Sequence, residues 1–340
     1  MRLSGILLIN LGTPASPEPR DVGRYLRQFL MDRFVVDIPF LFRWLLVHLL
    51  IVPRRRHTSG RLYRNIWTDE GSPLLVNSDR LLTGMRASRP DDQIALAMRY
   101  GQPSIASGLK QLLDAGVDNI QIVPLYPHYA LSSVETCLEE CRRQIRKLNF
   151  HGRVTYFREF YDHPAYINVL VSTIREVLER EKPDFLLYSY HGLPEHQVAA
   201  TGSRCRFDEE CCRTFRDHSP RCYRAQCFET TRLCNDALGW PEDKFVVSFQ
   251  SRLGRRPWLK PYTDQVLKGL VARGVRRLAV ACPAFTADCL ETLEEISFRA
   301  RADFIAAGGE DVVLIPSLND RSDWVGALGE LLTNGQASEL

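Results

Sequence analysis

Short apolar runs alternate with longer stretches of helical period along almost the whole 340-residue chain. Residues 6–11, 94–99, 120–125, 154–157, 185–190, 245–249, 278–282 and 312–315 have the length and the β-branched or aromatic content of buried strands. Between them, apolar residues recur at helical spacing, as in 104–115, 134–147, 165–181 and 290–306. This alternation predicts an α/β protein with parallel sheets flanked by helices.

The pattern also echoes itself. A segment from Gly116-Val117 passes through a strand and a Pro/aromatic turn to Glu135-Thr136, and a segment from Gly274-Val275 does the same to reach Glu291-Thr292. Two similar α/β halves, residues 1–155 and 156–340, are the expectation, with an active cleft between them. No P-loop or Gly-x-Gly-x-x-Gly follows any of the strands, so no nucleotide cofactor is expected.

Two stretches break the rhythm. Residues 38–52 are strongly apolar, carry only Arg43 and His48 as interruptions, and run into Pro53-Arg54-Arg55-Arg56. The run is too short to span a membrane. Its bulk beside a basic cluster suits an interfacial element touching a membrane surface, with a buried helix as the other reading. Residues 201–234 hold Cys205, Cys211, Cys212, Cys222, Cys227 and Cys234 among many charges. A core does not use cysteine at that density among charges, so thiolate ligation of a metal is the better account, structural zinc included.

Composition narrows the class. A net charge of +3 with no basic stripe interleaved with aromatics argues against nucleic acid. The first apolar run lacks the length and cleavage site of a secretory signal, and the ten cysteines then argue against a disulfide framework. The cytoplasm is the expected compartment.

The candidate chemistry lies at two strand ends. The run 185–190 delivers His191 into a turn stopped by Gly192 and Pro194. Open α/β sheets place ligands at such carboxyl ends, and histidine there suits a proton acceptor or a metal ligand. After 278–282, a turn enters a helix with Asp288, Glu291 and Glu295 at i, i+3 and i+7, expected along one face with Glu294 beside them.

These segments, in order, carry a resemblance. Gly5 to Pro14, Met98 to Gly101, Ser189 to Pro194, Phe249 to Arg252, Pro257 to Leu259 and Phe285 to Glu295 together resemble the ferrochelatases, which insert ferrous iron into protoporphyrin, over nearly the whole length. The resemblance implies two Rossmann-like domains, with residues 38–56 as the lip of a porphyrin cleft. It implies His191 and Glu291 as the catalytic pair, and His191, Glu291, Glu295 and Asp288 around the substrate iron. Tyr63, Ser72, Arg99, Tyr100, Tyr129, Trp258 and Phe285 become candidates to line the porphyrin pocket. The cysteine-rich segment is similar to an insertion that holds a [2Fe–2S] cluster in some bacterial members, with Cys205, Cys212, Cys222 and Cys227 as the expected ligands. Animal members carry histidine where this chain has Cys289. Another porphyrin such as coproporphyrin III, and a non-catalytic haem or iron–sulfur sensor, stand as alternatives.

Overall fold

The computed structural model describes residues 4–201, 207, 210–212, 221–254 and 256–340. The chain divides into two compact units. The first comprises Met1–Tyr126, Leu131–Arg158 and Asp320–Leu340; the second comprises Pro127–Ala130 and Glu159–Asn319. The first unit therefore reaches Arg158, close to the expected boundary, but also reclaims the last stretch of the chain, which chain order alone had assigned to the second half. A close approach accounts for this. A Cβ on Gly84, in the helix Pro73–Ser88, would lie 2.8 Å from Val325 Cγ2, so glycine lets the C-terminal helix Ser322–Asn334 seat against it.

In the first unit, β1 (Ser4–Gly12) lies between β2 (Gln93–Tyr100) and β3 (Asn119–Pro124), and β4 (Arg153–Phe157) pairs with β3, all parallel. In the second, β5 (Phe185–His191) lies between β6 (Phe245–Gln250) and β7 (Arg277–Ala281), with β8 (Asp311–Leu314) beyond β7. The two orders, β2-β1-β3-β4 and β6-β5-β7-β8, are the same sequence of second, first, third and fourth strand. The central strands are apolar without alternation, Ile6–Ile9 and Phe185–Leu187 being buried throughout, because helices cover both faces. A short antiparallel strand, Ala337–Glu339, closes the first sheet against β4. Its Ala-Ser-Glu sequence has no apolar alternation to announce it.

Residues 40–66 form helix throughout: Phe40–Leu45, a wider π-wound stretch Leu46–Ile51, then Val52–Ile66. The helix passes Pro53, which closely follows the wider π-wound turn. Val47 and Val52 are buried, whereas Phe40, Leu41 and Phe42 are 63%, 63% and 64% exposed, with Leu49 equally bare. Buried Arg43 donates to the carbonyls of Val36 (3.0 Å) and Ile38 (3.2 Å), which pins the entry to this helix.

One charged group anchors the first unit. Buried Asp32 accepts from the Arg99 guanidinium, from Tyr100 Oη (2.9 Å), from Thr136 Oγ1 (2.5 Å) and from the backbone N–H of Phe34 (2.8 Å). Arg99 Nε also donates to Thr136 Oγ1 at 2.8 Å. Two of the expected porphyrin contacts, Arg99 and Tyr100, thus have structural partners in this unit. Arg99 is spent on a buried carboxylate, and Tyr100 is wholly buried, with its phenol pushed up by burial. Removing one partner of a buried charge pair leaves the other uncompensated. Asp32→Asn is therefore expected to lower the stability of the first unit by about 3–5 kcal/mol, read by denaturant unfolding; a loss within experimental error would show that the pair is not a structural anchor.

Candidate active site at the carboxyl ends of the second sheet

β5 stops at His191 because the next residue must let backbone approach. Gly192 N–H donates to the Gln250 carbonyl at 2.8 Å, and a Cβ at 192 would sit 2.7 Å from that oxygen. The other end of the same peptide unit is also held: Tyr223 Oη donates to the His191 carbonyl at 2.9 Å. The imidazole turns back, with Nδ1 2.7 Å from the Gly192 carbonyl. A carbonyl only accepts, so the neutral ring carries its proton on Nδ1 and leaves the Nε2 lone pair free. The edge of Phe285 faces the ring at 6.3 Å between centroids.

Gln250 joins this turn to the acidic helix. It is buried at the end of β6 in register with His191. Its Nε2 donates to the Glu291 carbonyl at 2.8 Å, and its Oε1 accepts from Ser189 Oγ at 2.7 Å. The next residue, Ser251, sits in the left-handed region (φ +67°) and aims two donors, N–H at 2.9 Å and Oγ at 2.5 Å, at the Glu295 carboxylate. Gln250 and Ser251 lie within the Phe249–Arg252 segment, and two polar residues ending a buried strand are their signal in the sequence.

The expected row of carboxylates is dispersed. The helix begins only at Leu290, after Cys289 in extended conformation caps it reciprocally with Thr292, and Leu293–Ala300 winds as a π-helix. Asp288 precedes the helix and is buried, its oxygens taken by Thr292 Oγ1 (2.9 Å), Asn319 Nδ2 (2.8 Å) and Ser317 N–H (3.3 Å). Glu294 turns inward onto Arg299 Nε at 2.7 Å. Glu291 and Glu295 stay partly open. The buried Cys289 thiol is hydrogen-bonded to the Glu291 carboxylate, and its pKa is pushed up first by burial and then by that charge.

The other expected pocket residues separate by unit. Trp258 stands beside the turn: its backbone pairs with Pro194, its Nε1 donates to the Leu253 carbonyl at 2.8 Å, and its Cε3 lies 3.3 Å from where a Gly192 Cβ would be. Tyr129 is buried in the same unit, its N–H donating to Gln226 Oε1 at 2.7 Å and its ring under the Arg221 guanidinium. Tyr63 and Ser72 belong to the first unit, Tyr63 buried edge-on between Tyr25 and Trp67 and Ser72 bonded to Thr13 Oγ1 at 2.8 Å.

Of the four expected cluster ligands, Cys205 lies outside the described residues. Cys212, Cys222 and Cys227 are buried near the start of the helix Tyr223–Leu238, with Arg224 Nη1 donating to Cys212 Sγ at 2.9 Å. Cys227 is hydrogen-bonded to Tyr223, and burial pushes its thiol well up. Among the described residues, no three His, Cys, Asp or Glu side chains converge as a metal site. The described thiols thus do not by themselves fit a cluster.

Behind the His191 turn lies a residue the sequence reading missed. His128 is buried, stacked on Tyr161 (6.2 Å) and edge-on to Tyr190 (5.3 Å) and Tyr223 (6.0 Å). Its Nε2 is 2.9 Å from Thr230 Oγ1, whose own proton goes to the Tyr161 carbonyl, so Nε2 is the donor. Burial holds this imidazole neutral, with a pKa lowered to about 3.

Comparisons with known proteins agree in one direction. The family model described as Ferrochelatase matches residues 3–336. The chain is 47% identical over 330 residues to a ferrochelatase of Ectopseudomonas mendocina (strain ymp), covering 95% of each chain. It is 47% identical over 335 residues to one of Pseudomonas aeruginosa (strain UCBPP-PA14), covering 97% of this chain and 98% of the other. Its fold is similar to that of SirB from Bacillus subtilis with Fe3+, at a TM-score of 0.57 and 10% identity over 98% of this chain and 96% of that one.

His128 sets a pH dependence of stability. Its folded pKa lies below the unfolded value, so its contribution is complete above about pH 6.5 and is lost as pH falls toward about 3. Unfolding of the second unit in urea should show stability declining over that window, by up to about 1.4 kcal/mol per pH unit. His128→Phe should flatten the decline; an unchanged slope in the variant would assign the effect elsewhere.

Proposed function

The chain belongs to the ferrochelatase family, and we propose that it inserts ferrous iron into protoporphyrin IX with His191 accepting pyrrole protons and Glu291 receiving the metal. Metallation removes two pyrrole protons and seats a divalent cation in a flat ring that resists entry. A base within reach of the nitrogens and an oxygen ligand to strip water from the iron are the groups this chemistry needs.

The observation that carries the assignment is Gln250. Its backbone carbonyl holds the turn after His191 and its side chain holds the backbone of Glu291, so one buried residue fixes both groups relative to each other. The Nδ1 contact of His191 leaves Nε2 as the proton acceptor. Glu295, held by Ser251, is fixed one helical step behind Glu291 and suits passing protons or metal along rather than first contact. Asp288 drops out of the metal set, because three donors already occupy it. Trp258 and Phe285, packed at the His191 turn, offer apolar faces to the macrocycle, and binding energy from such faces can be directed to distorting it.

Two further readings rest on the same family. The cysteine-rich segment is proposed to hold a [2Fe–2S] cluster on Cys205, Cys212, Cys222 and Cys227, supported by thiol density and by the Arg224 cation at Cys212 Sγ. Such a cluster would be an electron-accepting group held by thiolates, and no step of metallation is routed through it. The bare apolar residues Phe40–Phe42 and Leu49, with exposed Arg54 and Arg55 further along the same helical run, support a peripheral membrane contact. No helix among the described residues is long and apolar enough to cross a membrane.

In an anaerobic metallation assay, His191→Ala is expected to abolish turnover, and Glu291→Gln to lower it by about a hundredfold or more while porphyrin binding persists. Near-normal rates in both variants would place the site elsewhere. Purified anaerobically, the protein should be coloured and carry two irons and two acid-labile sulfides per chain, and Cys→Ser at each of the four positions should bleach it. A colourless protein with one zinc per chain would overturn the cluster assignment.

A further inference from the structure

We infer that Tyr223 is a positioning residue for His191, setting the ring's orientation through the peptide that follows it. The inference rests on the reading of His191 as the proton acceptor. The 191–192 peptide is gripped at both ends: the Gly192 N–H by the Gln250 carbonyl at 2.8 Å, and the His191 carbonyl by Tyr223 Oη at 2.9 Å. The first contact belongs to the sheet. The second comes from outside it, from the first turn of the helix Tyr223–Leu238.

The imidazole is oriented by this same backbone. Its Nδ1 bonds the Gly192 carbonyl, the oxygen just beyond the gripped peptide, so a tilt of that peptide carries the acceptor oxygen and the ring with it. A hydrogen bond of this kind at one remove from a reacting nitrogen fixes both tautomer and aim. Tyr223 has little freedom to do anything else. It is buried and packed against His128. A second tyrosine repeats the device on the neighbouring loop: buried Tyr166 donates to the Pro283 carbonyl at 2.7 Å, after β7. There the braced loop carries Phe285, which faces the His191 ring.

Tyr223→Phe removes the phenolic oxygen and keeps the ring. Turnover is expected to fall about tenfold with KM for iron and for porphyrin unchanged. Turnover alone would not separate positioning from general damage, so the decisive readout is the imidazole of His191. In the protein labelled with 15N-histidine, its ring signals are identified by their disappearance in His191→Ala. They should move in Tyr223→Phe while the other histidines outside the Tyr223 contact stay in place. Incorporation of 3,5-difluorotyrosine at 223, which keeps the hydroxyl and makes it a stronger donor, should move the same signals without loss of fold. Unmoved His191 signals in both proteins, or undiminished turnover in Tyr223→Phe, would overturn the inference. Turnover surviving in His191→Ala would instead overturn the reading on which it rests.

Discussion

Gln250 is the residue on which the site depends. A glutamine buried at the end of a parallel strand must satisfy both its amide and its carbonyl, and here each finds a different part of the site. Its side chain reaches back to Ser189 inside β5 and forward to the Glu291 backbone, while its main chain stops the His191 turn. Segments far apart in sequence are thereby held by one residue, through its side chain and its main chain together. An apolar residue of the same size would leave the Glu291 carbonyl without this donor, and the tie between the acidic helix and β6 would rest on Ser251 and Glu295.

The repeated strand order shows how one architecture carries two different tasks. In each unit a threonine at the start of a helix gives its hydroxyl to a buried aspartate: Thr136 to Asp32 in the first, Thr292 to Asp288 in the second. In the first unit Arg99 neutralises the acid. In the second the remaining donors are the neutral Ser317 N–H and Asn319 amide. Among the described residues, the second loop is thus tied at Asp288 by neutral donors and without a cation. The π-wound turn that follows separates Glu294, which packs inward on Arg299, from Glu295, which faces Ser251.

Much of this was legible in the sequence, and the failures have physical reasons. The eight parallel strands among the described residues were marked by apolar runs, most plainly the central ones, which are covered on both faces. Ala337–Glu339 was not, because an edge strand of three residues buries too little to impose a pattern. The turn at His191 announced itself through Gly192 and Pro194. The acidic row did not survive, because ideal helical spacing was applied across a cap and a π-wound stretch, neither of which the side chains betray. The contacts of Arg99 and Tyr100 with Asp32, 67 and 68 residues away, are a long-range pairing that no local pattern encodes. Tyr223 and His128 were invisible for the same reason. Tyr223 stands between Cys222 and Cys227, in a segment whose sequence signal is its cysteines.

The central claim is that the free Nε2 of His191 takes protons from the porphyrin. The most direct test is chemical rescue of His191→Gly, whose cavity admits small bases, with a series of substituted imidazoles in the anaerobic metallation assay. The account predicts that added imidazoles restore turnover and that the restored rate rises with their basicity. No rescue, or rescue indifferent to basicity, would contradict it.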